Sequence, residues 1–420
     1  MDIKKRRTLI IAAAFLVIAV TIFAILSGCD TTGKKQDNNG NIQGESHTDG
    51  QGENTLPNND TANSGETKKG SILDQFPRKK DVKVKGVYLT GWVAGSSDRL
   101  DKLIGLIKNT ELNTVVLDIK DDDGVVGYET NVEAVKAVGA FKKKYDVEAV
   151  IRKLKENDVY IIGRLVCFRD PALALKRPDL AVKRPDGSLW RENGKIPWTN
   201  AYNEETWRYN IDIAKEAIEK GFDEIQFDYV RFPTPIRKAD IKYDSTLPKT
   251  DAINGFLKLA ATELTDKLDV KVSADVFGII CESPADTEDI GQNLEAIGMD
   301  IAYISPMVYP SHYANAAQNG VGQHVNGILF KAPDLEPYNV VYNSLIKAKD
   351  RISQTEGYKA KVRPYLQDFT ASWLYKGYFQ KYGAEQVKAQ IKATYDAGYE
   401  EWILWNPDNI YSSGALIAEG

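Results

Sequence analysis

Histidine, cysteine and methionine are all scarce, with three of each in 420 residues. One histidine, His47, falls in a polar stretch near the N-terminus, which leaves only His312 and His324 for a folded domain. A histidine-rich metal hydrolase or deacetylase is thereby excluded, because such centres draw on several imidazoles. There is no G-x-S-x-G elbow of a serine hydrolase and no glycine-rich phosphate loop ending in Gly-Lys-Ser/Thr. Lys and Arg number 54 against 59 Asp and Glu, a formal net charge of −5, so no basic footprint for nucleic acid exists. Nothing in the sequence calls for a cofactor or a metal ion.

What is present begins with an unusual N-terminus. Lys4, Lys5, Arg6 and Arg7 precede an apolar run from Leu9 to Leu26, broken only by Thr21. Basic residues followed by such a run mark a secretory signal or a membrane anchor, and the run is long enough to span a bilayer. It ends in Leu26-Ser27-Gly28-Cys29, which resembles the lipobox of bacterial lipoproteins. The resemblance implies a signal peptide over residues 1–28, cleavage before Cys29 and lipid on its sulfur; an uncleaved transmembrane anchor is the alternative. Either way the remainder is expected at the cell membrane, facing the extracellular side. Residues 29–80 are rich in Gly, Asn, Asp, Thr, Ser and Lys and read as a disordered tether. Such a stretch spans on the order of 40 Å root-mean-square. The folded domain is then expected over residues 81–420. Its two cysteines, Cys167 and Cys281, lie near the ends of the non-adjacent third and fifth predicted strands and read as buried free thiols, with a disulfide as the alternative.

From Val84 onward the pattern alternates strand and helix. Short apolar, β-branched runs occur at 85–92, 114–121, 159–168, 223–232, 271–278, 300–309, 362–369 and 401–406. Amphipathic stretches between them predict helices at 98–109, 144–157, 204–220, 251–268, 286–298 and 384–397. Eight βα units in order, without a dinucleotide fingerprint after the first strand, predict one α/β domain, a closed parallel (β/α)8 TIM barrel rather than an open sheet. Two insertions are expected. Residues 169–203, after strand three, hold Trp190 and Trp198 and suit a cleft wall or lid; residues 311–361, after strand six, contain a helix from Pro337 to Arg351.

Side chains alternate along a strand, so one parity faces the helices and the other the barrel interior. That rule sends Tyr88, Thr90 and Trp92, Asp118 and Lys120, Arg164, Gln226 and Asp228, Ser273 and Asp275, and Arg363, Tyr365 and Gln367 inward. A polar interior needs internal pairing, which Arg164 and Arg363 could supply to Asp118, Asp228 and Asp275. Asp228 and Asp275 lie near the C-terminal ends of successive strands, the face that carries barrel active sites. Two carboxyl groups so placed suit glycoside hydrolysis, one attacking the anomeric carbon and one protonating the leaving oxygen. Asp228, close to arginines, is expected to stay ionised and act as nucleophile; Asp275, beside Val276 and Phe277, is expected to stay protonated and act as acid/base. Neighbouring strands favour the short, retaining separation, although the two roles could be exchanged.

Several ordered motifs carry a wider resemblance: Lys85-Gly86-Val87-Tyr88-Leu89-Thr90, Val116-Leu117-Asp118-Ile119-Lys120-Asp121-Asp122-Asp123-Gly124, Gln226-Phe227-Asp228-Tyr229-Val230-Arg231-Phe232-Pro233, Ser273-Ala274-Asp275-Val276-Phe277-Gly278, Ser305-Pro306-Met307-Val308-Tyr309-Pro310-Ser311-His312-Tyr313 and Pro364-Tyr365-Leu366-Gln367-Asp368-Phe369. From about Val84 to Tyr411 the chain resembles the bacterial glycosyl-hydrolase domain family first catalogued as a domain of unknown function. The resemblance implies a barrel distantly similar to α-amylase-type and α-galactosidase-type hydrolases, and supplies no substrate. Asp118, Trp92, Tyr229, Arg231, Tyr309, His312, Gln367 and Trp405 are the candidate substrate-binding residues, by position near strand tops. Asp121, Asp122 and Asp123 read as a solvated acidic turn, with a cation site as the alternative. A hydrolase acting on a polysaccharide or oligosaccharide is therefore expected. The competing class is a non-catalytic glycan-binding or wall-assembly lipoprotein built on the same barrel. Oligomeric state is not legible.

Overall fold

The computed structural model describes residues 72–418. The expected signal peptide, the lipidated Cys29 and most of the tether lie outside the described residues. Eight parallel strands close on themselves: β1 Lys85–Leu89, β2 Thr114–Lys120, β3 Tyr160–Val166, β4 Glu224–Asp228, β5 Lys271–Phe277, β6 Tyr303–Met307, β7 in two pieces (Lys361–Val362 and Tyr365–Gln367) and β8 Trp402–Trp405. Each pairs with the next, and β8 returns to β1, with Val87 opposite Leu404. The expected (β/α)8 barrel is thus the observed one.

Besides short helical segments in the connections (Gly91–Ala94, Glu133–Val138, Pro171–Lys176 and Ala316–Asn319), one helix follows each of the first seven strands: α1 Ser97–Lys108, α2 Val147–Glu156, α3 Glu204–Lys220, α4 Lys249–Ala260, α5 Leu294–Ile297, α6 Pro337–Ser353 and α7 Ala384–Asp396. Local chemistry sets their ends. The Asp146 side chain accepts from Ala149 N at the start of α2, and Asn203 accepts from Glu205 N at the start of α3. Gly221 stops α3 in a left-handed conformation (φ 108°) that a Cβ disfavours. The predicted helix at 286–298 is only the single turn of α5. Asp286 instead accepts from the backbone N–H groups of Ile290 and Gly291, fixing a turn where a helix would need those donors elsewhere.

The apolar halves of the strands do as parity requires. Val115, Leu117 and Ile119 join the outer core beneath the helices, whereas Val116, Tyr160, Ile162, Tyr365 and Ile403 cluster inside the barrel. Lys120 is the exception. The pairing of β2 with β3 slips between Asp118 and Lys120, and this bulge turns Lys120 away from the interior. Its ammonium is buried against Asp170 (2.6 Å) and Asn210 of α3 (2.8 Å).

Polar residues inside the barrel form three levels, set by alternate residues of β4. At the base, Glu224 pairs with Arg363 and accepts from Ser273 Oγ (2.6 Å) and Tyr160 Oη (3.2 Å). Arg363 therefore serves the base and not the aspartates it was expected to neutralise. In the middle, Gln226 accepts from Tyr365 Oη (2.6 Å) and donates to Ser305 Oγ (3.1 Å). Asp228 stands at the top.

Residues 72–80, the end of the stretch read as tether, lie against the barrel's N-terminal face. Arg78 Nη2 donates to Ile218 O (3.1 Å), Lys79 N donates to Asp223 Oδ1 (3.3 Å), and Lys80 pairs with Asp269. Cys167 and Cys281 are both free and buried.

Candidate active site

Asp228 ends β4, and the chain turns immediately: Tyr229 takes a left-handed conformation (φ 49°), uncommon for any residue with a Cβ. Such local strain persists where surrounding contacts over-determine it. Here the Tyr229 N–H donates to Asp228 Oδ1 (2.6 Å), and the Tyr229 ring meets Trp198 edge-on. Asp228 Oδ2 accepts from both Nε (2.8 Å) and Nη2 (2.6 Å) of Arg164 on β3. The same guanidinium donates through Nη1 to Asp118 Oδ1 (2.7 Å), and Asp118 Oδ2 accepts from Tyr88 Oη (2.7 Å). Tyr88, Asp118, Arg164 and Asp228 form one buried chain of charge-assisted bonds. Burial works against the Arg164 charge, yet Asp228, Asp122 and Asp118 outweigh it and lift its pKa well above normal. Burial pushes Asp118 up to about 6, with Arg164 pulling the other way.

Asp275, on the adjacent strand, lives in a different setting. It is 2% exposed, and its Oδ1 has no hydrogen-bond partner among the described residues. Burial first, and the nearby charge of Asp228 second, raise its pKa well above the usual carboxylate range. Two carboxyl groups at neighbouring register positions thus meet different surroundings, one held by a guanidinium and one buried with an unpartnered oxygen.

A cleft of about 440 Å³ opens above them, a size suited to a small-molecule or sugar subsite. Asp118, Asp228, Asp275, Trp92, Tyr229, Arg231, Tyr309, His312 and Trp405 all line it, so nine of the sequence-derived candidates meet in one place. Trp92 is 56% exposed at the rim, with the Lys142 ammonium 4.9 Å from its ring centroid. Trp405 stacks on Tyr88 at 3.9 Å between centroids, which leaves one ring face already covered. Tyr309 presents a buried hydroxyl with no partner among the described residues. His312 is half-buried beside it, and desolvation lowers its pKa to about 4.

Gln367 does not reach the cleft. Its amide is used up within the fold, accepting from Ser311 N (3.1 Å) and donating to Asp334 Oδ1 and Phe369 O (both 3.0 Å). Trp190 and Trp198 are buried rather than forming a wall; Trp198 lies under the Arg231 guanidinium. The acidic turn is largely internal to the site. Asp121 pairs with Lys144, and Asp122 sits 3.6 Å from Arg164 and 3.8 Å from Arg169. Among the described residues no group of three or more His, Cys, Asp or Glu is arranged to hold a metal ion. Tyr88, Lys144, Arg169, Phe277 and Gln292 also line the cleft, and the sequence reading had not singled them out for binding. Strand parity had placed Tyr88 inside; Arg169 comes from a loop, where no periodicity points to a direction, and Lys144, expected to open a helix, lies just before α2 instead.

Among solved structures, the PgaB (BpsB) glycoside hydrolase domain from Bordetella bronchiseptica superposes with a TM-score of 0.54 at 13% identity, covering 81% of this chain and 100% of that one, a likeness of fold. A hypothetical protein from Ruminiclostridium thermocellum is 48% identical over 45% of this chain and 97% of its own, with a TM-score of 0.42. An α-galactosidase from Thermus thermophilus is 12% identical over 79% of this chain and 60% of its own, with a TM-score of 0.45. No curated protein matches the chain. Residues 86–411 match the family described as "Putative glycosyl hydrolase domain", a span holding every barrel strand but the first residue of β1 and the whole cleft, and the chain belongs to that family.

Proposed function

We propose that this protein is a retaining glycoside hydrolase, lipid-anchored through Cys29 at the extracellular side of the cell membrane, that cleaves a polysaccharide or oligosaccharide with Asp228 and Asp275. The observation that carries the reading is the contrast between the two acids: Asp228 engaged by Arg164, Asp275 buried, unpaired and raised in pKa. Asp228 attacks the anomeric carbon while Asp275 delivers its proton to the departing glycosidic oxygen. Water then releases the glycosyl group from Asp228, with Asp275 now taking a proton from that water. The retaining assignment is supported by register. Phe227 pairs with Ala274, so Asp228 and Asp275 are the next residues along neighbouring strands. Adjacent strands lie roughly 4.8 Å apart, close to the separation of about 5 Å at which a carboxylate attacks directly. Trp92 and Tyr309 are the proposed sugar contacts, one an exposed ring at the rim and one an unpartnered hydroxyl inside. The anchor rests on the sequence at Leu26–Cys29.

The test is release of reducing ends from α- and β-linked glycans and purified wall polymers, with wild-type protein beside Asp228→Asn. Activity should fall on the order of 10⁴-fold or more in the variant, as for loss of a nucleophile elsewhere. Undiminished turnover in Asp228→Asn would remove the nucleophile assignment. Binding of a glycan with no cleavage by either protein would favour a non-catalytic glycan-binding lipoprotein.

A further inference from the structure

Arg231, three residues beyond Asp228, is a buried cation without an ion pair among the described residues; Glu192 and Asp228 act on it only at longer range. It is 4% exposed and lines the cleft. Its one hydrogen bond runs from Nη1 to Phe232 O (3.0 Å), which leaves Nε and Nη2 uncommitted. Its other neighbours are ring faces: Phe277, Trp198 and Tyr229 lie 4.5, 4.8 and 5.2 Å from the guanidinium carbon. Rings soften the cost of a buried charge and do not replace a counter-ion.

The other arginines in the barrel show what compensation looks like. Arg164 pairs with Asp228 at 2.6 Å, Arg169 with Glu192 at 3.0 Å, and Arg363 with Glu224. In all three the surrounding acids overcome burial and raise the pKa; at Arg231 burial prevails and the pKa is lowered. The carboxylates that act on Arg231 from a distance are committed elsewhere, Glu192 to Arg169 and Asp228 to Arg164. A buried arginine without an anion is rare, and a planar fork open to a cleft fits a carboxylate.

We propose that Arg231 is a specificity residue that binds a carboxylate on the sugar seated above Asp228, making the substrate an acidic glycan. The inference rests on the hydrolase reading for its biological sense but not for its test. Carboxylate could come from a uronic acid or from a lactyl ether on an amino sugar. The probes are therefore oligogalacturonates and hyaluronan oligosaccharides for the first source, muramic-acid-containing wall oligosaccharides for the second, and each set with its carboxyl groups reduced to alcohols.

Binding to the full chain is read by calorimetry and cleavage by reducing ends. The carboxylated member of at least one set should bind more tightly than its reduced partner by on the order of 10- to 100-fold. In Arg231→Met that ratio should fall close to one, and Arg231→Lys should keep part of it. Equal binding of carboxylated and reduced members of every set overturns the proposal, and so does a ratio unchanged in Arg231→Met. Should Arg231→Met not fold, the wild-type ratio and Arg231→Lys still decide it. Cleavage of neutral glycans without any carboxylate preference overturns this inference and leaves the hydrolase standing. Selective carboxylate binding without cleavage supports it and removes the hydrolase.

Discussion

Asp228 and Asp275 occupy equivalent places on neighbouring strands, and their chemistry diverges because of what surrounds each carboxyl group. Asp228 meets two N–H groups of one guanidinium, whereas Asp275 meets burial and the charge of Asp228. A consequence for catalysis is a pH profile whose alkaline limb belongs to Asp275. kcat/KM should decline as pH rises through its raised pKa, well above the ordinary carboxylate value near 4. Asp275→Asn should lower turnover of natural glycans by about 10²- to 10⁴-fold. Aryl glycosides with a strongly acidic phenol leaving group need no proton, so they should recover much of that loss and show no alkaline limb. If the limb persists unchanged in Asp275→Asn, another group is the acid, and Asp118, raised to about 6, is the next to test. Stability carries the same sign. A carboxyl group whose pKa is higher folded than unfolded stabilises fully below about pH 4 and loses that contribution as pH climbs through the folded value. Urea unfolding should therefore show stability falling with rising pH across that window, less steeply in Asp275→Asn.

Strand β4 sets the vertical order of the barrel: Glu224, Gln226 and Asp228 face inward at successive levels, and each recruits partners from other strands. The lowest level is structural. Arg363→Met would strand the Glu224 carboxylate in a dry interior and should cost roughly 3–5 kcal/mol of unfolding free energy. Adding Glu224→Gln should recover part of that, because the two changes remove a shared interaction. Denaturant titrations of the single and double variants check both statements; an additive double variant would mean that the pair is not coupled. The strands and six of the seven helices were legible because apolar periodicity is a local property. Parity alone placed Asp118, Arg164, Asp228 and Asp275 inside. Lys120 escaped, since a bulge inverts parity and leaves no compositional mark. Glu224 was passed over as well, although the parity that sends Gln226 and Asp228 inward extends to it; its pairing with Arg363, far away in sequence, leaves no local mark. Gln367 had the correct direction and the wrong role, because its amide is consumed by Ser311, Asp334 and Phe369 in the loops around it. The missing counter-ion of Arg231 is a three-dimensional fact with no sequence signature.

On the scale of the whole molecule, the cleft and the strap of residues 72–80 lie at opposite ends of the barrel. The cleft opens at the C-terminal ends of the strands, while residues 72–80 run along the N-terminal face, bonded to Ile218 and Asp223 just before β4. The strap should matter for stability and not for catalysis. Ile72 packs against the Gly221 turn near Ile151, and the Arg78 and Lys79 hydrogen bonds contribute roughly 1 kcal/mol each. The Lys80–Asp269 pair lies in solvent and adds nothing to that figure. A chain beginning at Asp81 should thus be about 2 kcal/mol less stable in urea than one beginning at Ile72. Its kcat/KM on any cleaved glycan should be unchanged, because no strap residue reaches the cleft. Loss of activity in the shorter chain at temperatures where it remains folded would mean that the base of the barrel controls its top, through the stacked polar levels that join Glu224 to Asp228.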